Sequence, residues 1–523
     1  MSTKRKGLLR SSGIVSGMTM ISRVLGFVRD QVFAIVFGAS PATDAFFVAF
    51  KIPNFLRRLF AEGAFAQSFV PVFTEYKEHR SHEDLRALAS HVSGTLGLAV
   101  LALSIAGSLF APQLIALFAP GFDPDGESRE LAAQMLRITF PYLFFISLVA
   151  YAGGILNSFQ RFAVPAFTPV FLNICLISAA LWGTQVHSTP VVALAWGVFA
   201  AGFVQLLFQL PSLHHLGLLV LPRWGWHDSG VKRILILMLP AAFGSSVAQI
   251  NLLLDTIIAS FLQVGSISWL YYADRLVEFP LGLFGIAIAT VILPRLSAIH
   301  SHGQGGEFQH TMDWAVRLGL AAALPCTAGL LILAAPILAT LFGYGEFSDS
   351  DVQMSAWSLR AYALALPGFI LIKILVPGFF SRQDTRTPVR IGIIAMVSNM
   401  GFNIVLVGAF LLSGVGPAHA GLALATAMSA SLQAIMLYRR LGHERAYTAT
   451  AATFSVAARI MLATLAMGVV LLILSPPTDH WLTLDAGERI AHLGAIIIAA
   501  AISYFAALYL SGVRPVDLRK PHQ

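Results

Sequence analysis

The sequence predicts an all-α polytopic membrane protein with 14 transmembrane helices: two six-helix lobes in a pseudo-two-fold arrangement, plus two C-terminal helices. Three observations point to this fold class: composition, the spacing of apolar runs, and the sidedness of basic residues. Of 523 residues, 57% are hydrophobic and 11% charged, whereas a soluble globular chain carries about 25% charged residues. Mean hydropathy is +0.75. Apolar runs of roughly 20 residues recur along the chain, the length that crosses a hydrocarbon core of about 30 Å.

The runs place helices near 12–38, 43–76, 88–112, 131–157, 164–183, 189–212 and 232–262, then 268–296, 314–342, 352–380, 389–411, 419–438, 459–475 and 489–512. The second, eighth and tenth exceed what a bilayer requires, so tilting, kinking or protrusion is expected of them. Lys4, Arg5, Lys6 and Arg10 precede the first run in the manner of a secretory leader. Arg23, Arg29 and Asp30 interrupt its apolar stretch, which favours an uncleaved first helix.

With the N-terminus placed in the cytoplasm, alternate connections collect 23 of the 34 Lys and Arg residues. The opposite connections hold only Arg129 and Arg489, alongside Asp123, Asp125, Glu127, Glu130, Glu346, Asp349, Asp351, Asp479 and Asp485. This is the bias of an even number of crossings with both ends inside. The net charge of +8 is therefore a topology signal, and no nucleic-acid partner is expected. Every connection is short, so no soluble catalytic domain is expected. Cys175 and Cys326 lie far apart in apolar stretches and read as small buried hydrophobes, with neither metal nor disulfide spacing.

Landmarks recur at one offset. Phe69-Val-Pro71 matches Ile292-Leu-Pro294, and the segment ending at Pro165 matches that ending at Pro388, both 223 residues apart. APQLIALF, with Pro112, matches APILATLF, with Pro336, at 224. The expected domains are an N-lobe at 1–222, a C-lobe at 223–440 and a C-terminal helix pair at 441–523. Six helices is an even number, so the copies run parallel, and parallel repeats place substrate sites at their interface.

Nine basic residues fall inside expected helices: Arg23, Arg29, Lys51, Arg57, Arg58, Arg137, Arg275, Arg360 and Lys373. A charge at the bilayer centre costs about 2.5–3.5 kcal/mol even on lenient scales, so these must face water, a counter-charge or a ligand. Arg23 and Asp30, seven apart, share one face of the first helix, with Arg29 turned elsewhere. Lys51, Asn54, Arg57 and Arg58 form a polar stripe on the second, where Arg58 reaches Glu62 at i,i+4. In YYADRLVEFP, Asp274 and Glu278 are i,i+4 while Arg275 and Glu278 are i,i+3. Such pairs can simply tie helices together. Arg23, Arg29 and Arg57 outnumber the acids at hand, which favours a cationic cavity for a phosphate or carboxylate, the groups an arginine fork suits. Asp255, Asn399 and Asn403 are a candidate cation site or, equally, hydrogen-bonded packing residues.

SRVLGFVRD, FGASPATDAFFVAFKIPNFLRRLFAEGAFAQSFVPVF, YYADRLVEFP and PGFFSRQDTRTPV resemble signature stretches of the MurJ (MviN) family, within the multidrug/oligosaccharidyl-lipid/polysaccharide exporter superfamily. The resemblance runs across essentially the whole chain. It implies 14 helices in two lobes, an alternating-access cycle in a bacterial inner membrane, and lipid II as the substrate moved from the cytoplasmic to the periplasmic leaflet. Position by position, Arg23, Arg29, Arg57 and Arg275 match the family's cavity arginines, with Arg29 and Arg275 expected to contact the pyrophosphate from opposite lobes. Asp44 matches an acidic position near the external gate. Glu62, Asp274 and Glu278 match polar positions in gating or helix bridging, to which Lys51, Asn54 and Arg58 are added. No cofactor or metal is expected; membrane lipid and the cell-wall synthesis machinery are the other expected partners.

Two alternatives are weighed. A polyprenyl-phosphate-dependent glycosyltransferase would use Asp123-Pro-Asp125 or Asp349-Ser-Asp351 as a metal-binding D-x-D string, though acids belong in outward loops anyway. An exporter of drugs or of another lipid-linked oligosaccharide shares the superfamily. A drug exporter for cations would want an acidic aromatic cavity, and this one reads basic.

Overall fold

Capping chemistry decides where these helices begin. Ser40 accepts from the Thr43 amide ahead of Pro41, and Ser81 with Asp84, Ser348 with Asp351, and Asp485 with Glu488 form reciprocal capping boxes. Each satisfies amide groups that a helix start leaves without partners. A computed structural model of the chain describes residues 2–58, 64–186, 189–301 and 305–514, and no strand occurs among them.

The chain divides by contact into two compact units, Met1–Ile267 and Ser268–Gln523. The first contains α1 (Ser2–Phe37), α2 (Pro41–Leu56), α3 (Ala66–His79), α4 (His82–Leu109), α5 (Ala111–Phe118) and α6 (Glu127–Thr139). It continues with α7 (Tyr142–Ser158), α8 (Ala163–Phe167), α9 (Pro169–Val186), α10 (Val192–His215) and α11 (Ser229–Ala259). Then come α12 (Ser266–Pro280), α13 (Ile286–Ser301), α14 (Gly305–Ile332), α15 (Ala334–Leu341), α16 (Asp349–Ala363) and α17 (Leu366–Phe380). The chain closes with α18 (Arg386–Ser413), α19 (Ala418–His443), α20 (Ala451–Leu474), α21 (Thr478–Thr483) and α22 (Ala486–Leu510).

Among the described residues, eleven helical stretches are long and apolar enough to cross a membrane. They coincide with eleven of the expected crossings. The other three expected crossings fall on α1, on α2 with α3, and on α11, all of them helical. The chain is thus a multi-pass, all-α membrane protein.

In the first unit the core lies where α3, α4, α7 and α11 meet: Phe65, Phe69, Phe73, Leu88, Val92, Tyr151 and Ile155 pack with Val231 and Ile234. This aromatic ladder explains why α11 joins the first unit by contact although the repeat read from sequence begins at 223. In the second unit, α20 and α22 close around Ile460, Met467, Leu493 and Tyr504. Small residues let α17 and α19 approach closely there: a Cβ on Gly368 would lie 2.9 Å from the Ala430 carbonyl carbon.

Backbone irregularities recur at the sequence offset. Phe110, two residues before Pro112, and Leu333, three before Pro336, share φ −92° and ψ 18° where one helix ends and the next begins. Gln160 and Gln383 both take positive φ, 60° and 63°. π-Helical pairing occupies residues 57–58 and 64–65 in one unit and Leu281–Gly285 in the other.

Candidate functional site

The first cluster forms on α1. Asp30 is 2% and Arg29 8% exposed, and Arg29 donates Nε and Nη2 to Asp30 Oδ1 at 3.0 and 2.7 Å. Its remaining arm, Nη1, donates to Asn173 Oδ1 on α9 at 3.1 Å. Asn173 is fixed in turn by donating Nδ2 to the Ser22 carbonyl at 3.0 Å. The expectation that Asp30 serves Arg23 is corrected. Arg23 is exposed, and Asp30 pairs with its chain neighbour, because the long arginine side chain folds back across the 100° between adjacent positions. Asn173 was not anticipated; it lies 144 residues away, and an asparagine in an apolar run carries no motif.

The second cluster runs along α2. Asp44, 4% exposed, accepts from the Gly265 amide at 2.7 Å. Gly265 takes φ 93°, a conformation a side chain would strain. One heptad on, Lys51 Nζ donates to Thr256 Oγ1 at 3.0 Å. One further heptad on, Arg58 Nη1 donates to Gln249 Oε1 at 3.4 Å. Residues 44 and 51 on α2 and 58 just past its end advance while 265, just past the end of α11, then 256 and 249 retreat along the chain, so α2 and α11 are joined by an antiparallel polar seam inside the first unit. Seven-residue spacing keeps one stripe of a helix facing its neighbour. Arg57 lies off the seam and donates Nε to Asn54 Oδ1 at 2.9 Å. Glu62, and with it the expected i,i+4 pair to Arg58, lies outside the described residues.

The third cluster is in the second unit. Arg275 Nη1 donates to Glu278 Oε2 at 2.8 Å, and its guanidinium lies 4.8 Å from the centroid of the Tyr271 ring. Asp274 sits beside it on α12, half-buried. Asn399 and Asn403 on α18 are both fully buried, and Asn403 Nδ2 donates to Asn399 Oδ1 at 3.0 Å. Asp255 belongs to α11 in the first unit and is half-buried.

Both D-x-D strings have local structural duties. Asp123 accepts from the Asp125 amide. Asp351 completes the Ser348 capping box and accepts from Trp269 Nε1 at 2.7 Å. Among the described residues no group of three His, Cys, Asp or Glu could hold a metal. Arg489, one of two cations expected in the acidic connections, is buried and donates Nη1 to the Ala339 and Gly343 carbonyls at 2.9 Å each. It caps the C-terminal end of α15, where a cation complements the helix dipole.

Many apolar helices, proline breaks and buried guanidinium groups define a polytopic membrane protein of all-α fold. A solved multidrug resistance MATE family transporter of the MOP superfamily, in an inward-facing conformation, shares that fold with TM-score 0.67 and 17% identity, covering 83% of this chain and 97% of that one. A solved lipid II flippase MurJ, in an inward closed conformation, gives TM-score 0.76 and 28% identity, covering 95% and 99%. The family model described as lipid II flippase MurJ matches residues 33–490. A probable lipid II flippase MurJ of Vibrio cholerae is 50% identical, covering 99% of this chain and 98% of that protein. A lipid II flippase MurJ of Burkholderia cenocepacia is 39% identical, covering 98% and 99%. The chain belongs to the MurJ lipid II flippase family.

Proposed function

We propose that this chain moves lipid II from the cytoplasmic to the periplasmic leaflet of a bacterial inner membrane, with both termini in the cytoplasm, and acts as a transporter and not as an enzyme. Family membership over nearly the whole chain supports the substrate. The observation that carries the mechanism is the Arg29–Asp30–Asn173 cluster. A guanidinium is held ready in a membrane helix by bonds that include the Asp30 carboxylate and the Asn173 amide, and charge-assisted bonds to phosphate oxygens are among the strongest a protein makes. In this reading the pyrophosphate of lipid II displaces Asp30 as the partner of Arg29. Arg275 binds phosphate in the same way by releasing Glu278, and Arg23 and Arg57 supply further positive charge.

The polar seam between α2 and α11 is the proposed moving part. Asp44, Lys51 and Arg58 hold it, and neutral partners at Thr256 and Gln249 make those bonds exchangeable. The recurring backbone devices support 1–222 and 223–440 as the repeats, with 441–523 an appended pair. A cation at Asp255, or one at Asn399 and Asn403, or the membrane potential, worth about 2.3 kcal/mol per charge at 100 mV, are candidate sources of drive. Contact with cell-wall synthesis proteins would place the delivered substrate where it is consumed.

The test is lipid II translocation in cells depleted of their own flippase. The wild-type chain should restore periplasmic lipid II, while Arg29→Ala and Arg275→Ala at equal membrane levels should not. Arg275→Lys should restore it only in part, since lysine keeps the charge but lacks the bidentate fork. Full restoration by both alanine variants would remove the arginines from the mechanism. Failure of the wild type would move another lipid-linked oligosaccharide to the front.

A further inference from the structure

The connection from α10 to α11 is bound down along its length. Ser90 Oγ donates to the Leu221 carbonyl at 2.6 Å, and the Arg223 amide donates to the Ser90 carbonyl at 3.0 Å. The Gly225 amide donates to Thr95 Oγ1 at 3.1 Å, and His91 Nδ1 lies 3.0 Å from Asp228 Oδ2. Two glycines make the approach possible. A Cβ on Gly94 would sit 2.1 Å from the Arg223 carbonyl oxygen, and one on Gly225 would sit 2.3 Å from His91 Cβ. The strap therefore lies rigidly across α4.

That strap displays what a soluble loop would hide. Trp224 and Trp226 stack at 6.0 Å with an 8° interplanar angle, and they are 57% and 49% exposed. Leu221 is 81% exposed. Exposed tryptophans with apolar neighbours mark the headgroup level of a membrane. Below Trp226 a narrow cleft of about 180 Å³ opens between α4, α7 and α11, lined by Val92, Leu96, Val100, Leu143 and Ile234 among others and almost wholly apolar. It suits one alkyl chain, being well below the volumes that hold drug-sized ligands. Exposed Arg223 and Lys232 stand at either end of the Trp224–Val231 segment.

We propose that this cleft and strap form a binding site for an anionic phospholipid: one acyl chain lies in the cleft, Trp224 and Trp226 sit at the glycerol level, and Arg223 and Lys232 hold the headgroup. Charge complementarity selects the occupant, since two exposed cations beside an almost wholly apolar, chain-sized cleft favour a net-negative lipid over a zwitterionic one. The site lies within the first unit and uses none of the arginines assigned to lipid II. It rests on the membrane reading but not on the transported substrate, so its test is independent of transport.

The purified full chain is stripped of lipid, given phosphatidylglycerol or phosphatidylethanolamine, and examined by mass spectrometry under native conditions for bound lipid. Phosphatidylglycerol should bind about thirtyfold more tightly than phosphatidylethanolamine, as two interfacial cations imply. Arg223→Gln with Lys232→Gln should abolish that preference, and Ala99→Trp, which fills the cleft, should weaken both lipids alike. Equal affinity of the wild type for the two lipids would overturn the proposal, as would unchanged binding in the glutamine variant, whose exposed positions leave the fold intact. Undecaprenyl phosphate displacing phosphatidylglycerol in the wild type but not in the Ala99→Trp variant would reassign the cleft to the isoprenoid substrate and overturn it too.

Discussion

At the scale of single residues, Arg29 and Asp30 form a pair whose members cannot be changed independently. Asp30→Ala leaves a buried guanidinium without its acid, and breaking a buried pair costs about 3–5 kcal/mol. Thermal unfolding in detergent should show a large loss for that variant. Replacing both together, Arg29→Met with Asp30→Asn, removes the charge and its partner and should recover most of the stability while transport stays absent. A double variant that transports lipid II would show that Arg29 is only a tie between helices. The sequence made Arg29 conspicuous, because a guanidinium in an apolar run has to be explained. It did not reveal the partner: helical spacing pointed from Asp30 to Arg23, and side-chain length decided otherwise. Asn173 was illegible for a different reason, since its meaning comes entirely from α1 lying against α9.

At the scale of elements, acids at helix starts deserve their structural reading before a catalytic one. Asp351 holds a capping box and the Trp269 indole at once. Asp351→Ala should therefore lower stability by about 1–3 kcal/mol, the cost of leaving a buried donor without a partner, seen as a lowered melting temperature. Transport by the wild type should be insensitive to EDTA. A requirement for divalent metal that Asp351→Ala abolishes would reopen the D-x-D reading. The α2–α11 seam was half legible. Lys51 and Arg58 stood out as part of a polar stripe in a membrane helix, and Asp44 through the family resemblance, but the stripe as read also took in Asn54 and Arg57 and did not single out the line 44, 51 and 58. Their partners Thr256 and Gln249 are ordinary in composition, and Gly265 contributes only an amide.

At the scale of the whole molecule, helix positions were the most legible feature, because twenty apolar residues have few other fates. The partition into units was less so. Repeat landmarks follow descent of the sequence, whereas contact follows packing, and the Phe65–Phe69–Phe73 ladder draws α11 to the first unit. Sidedness is open to direct measurement. With Cys175 and Cys326 replaced by alanine, single cysteines at Glu346 or Asp479 should react with a membrane-impermeant maleimide on intact spheroplasts. Cysteines at Arg80 or Glu444 should react only after permeabilisation. Reversed labelling would invert the topology and with it the proposed direction of transport.

The π-helical turn at Leu281–Gly285 has a consequence for how α12 and α13 tolerate change. Such a turn houses one residue more than an α-helical turn does, so the helix carries a spare residue while the faces before and after it stay in phase. Counting faces at 100° per residue straight through the turn misplaces everything beyond it. A one-residue deletion within 281–285 should thus leave Tyr272 and Ile292 on their present buried faces, and the protein should still insert and melt near its usual temperature. The same deletion at Ala273 or Ile288 would swing the remainder of the helix by about 100°, turning buried side chains toward lipid and collapsing expression. The helix can lose length at one place only, and that place is already marked in its hydrogen bonding.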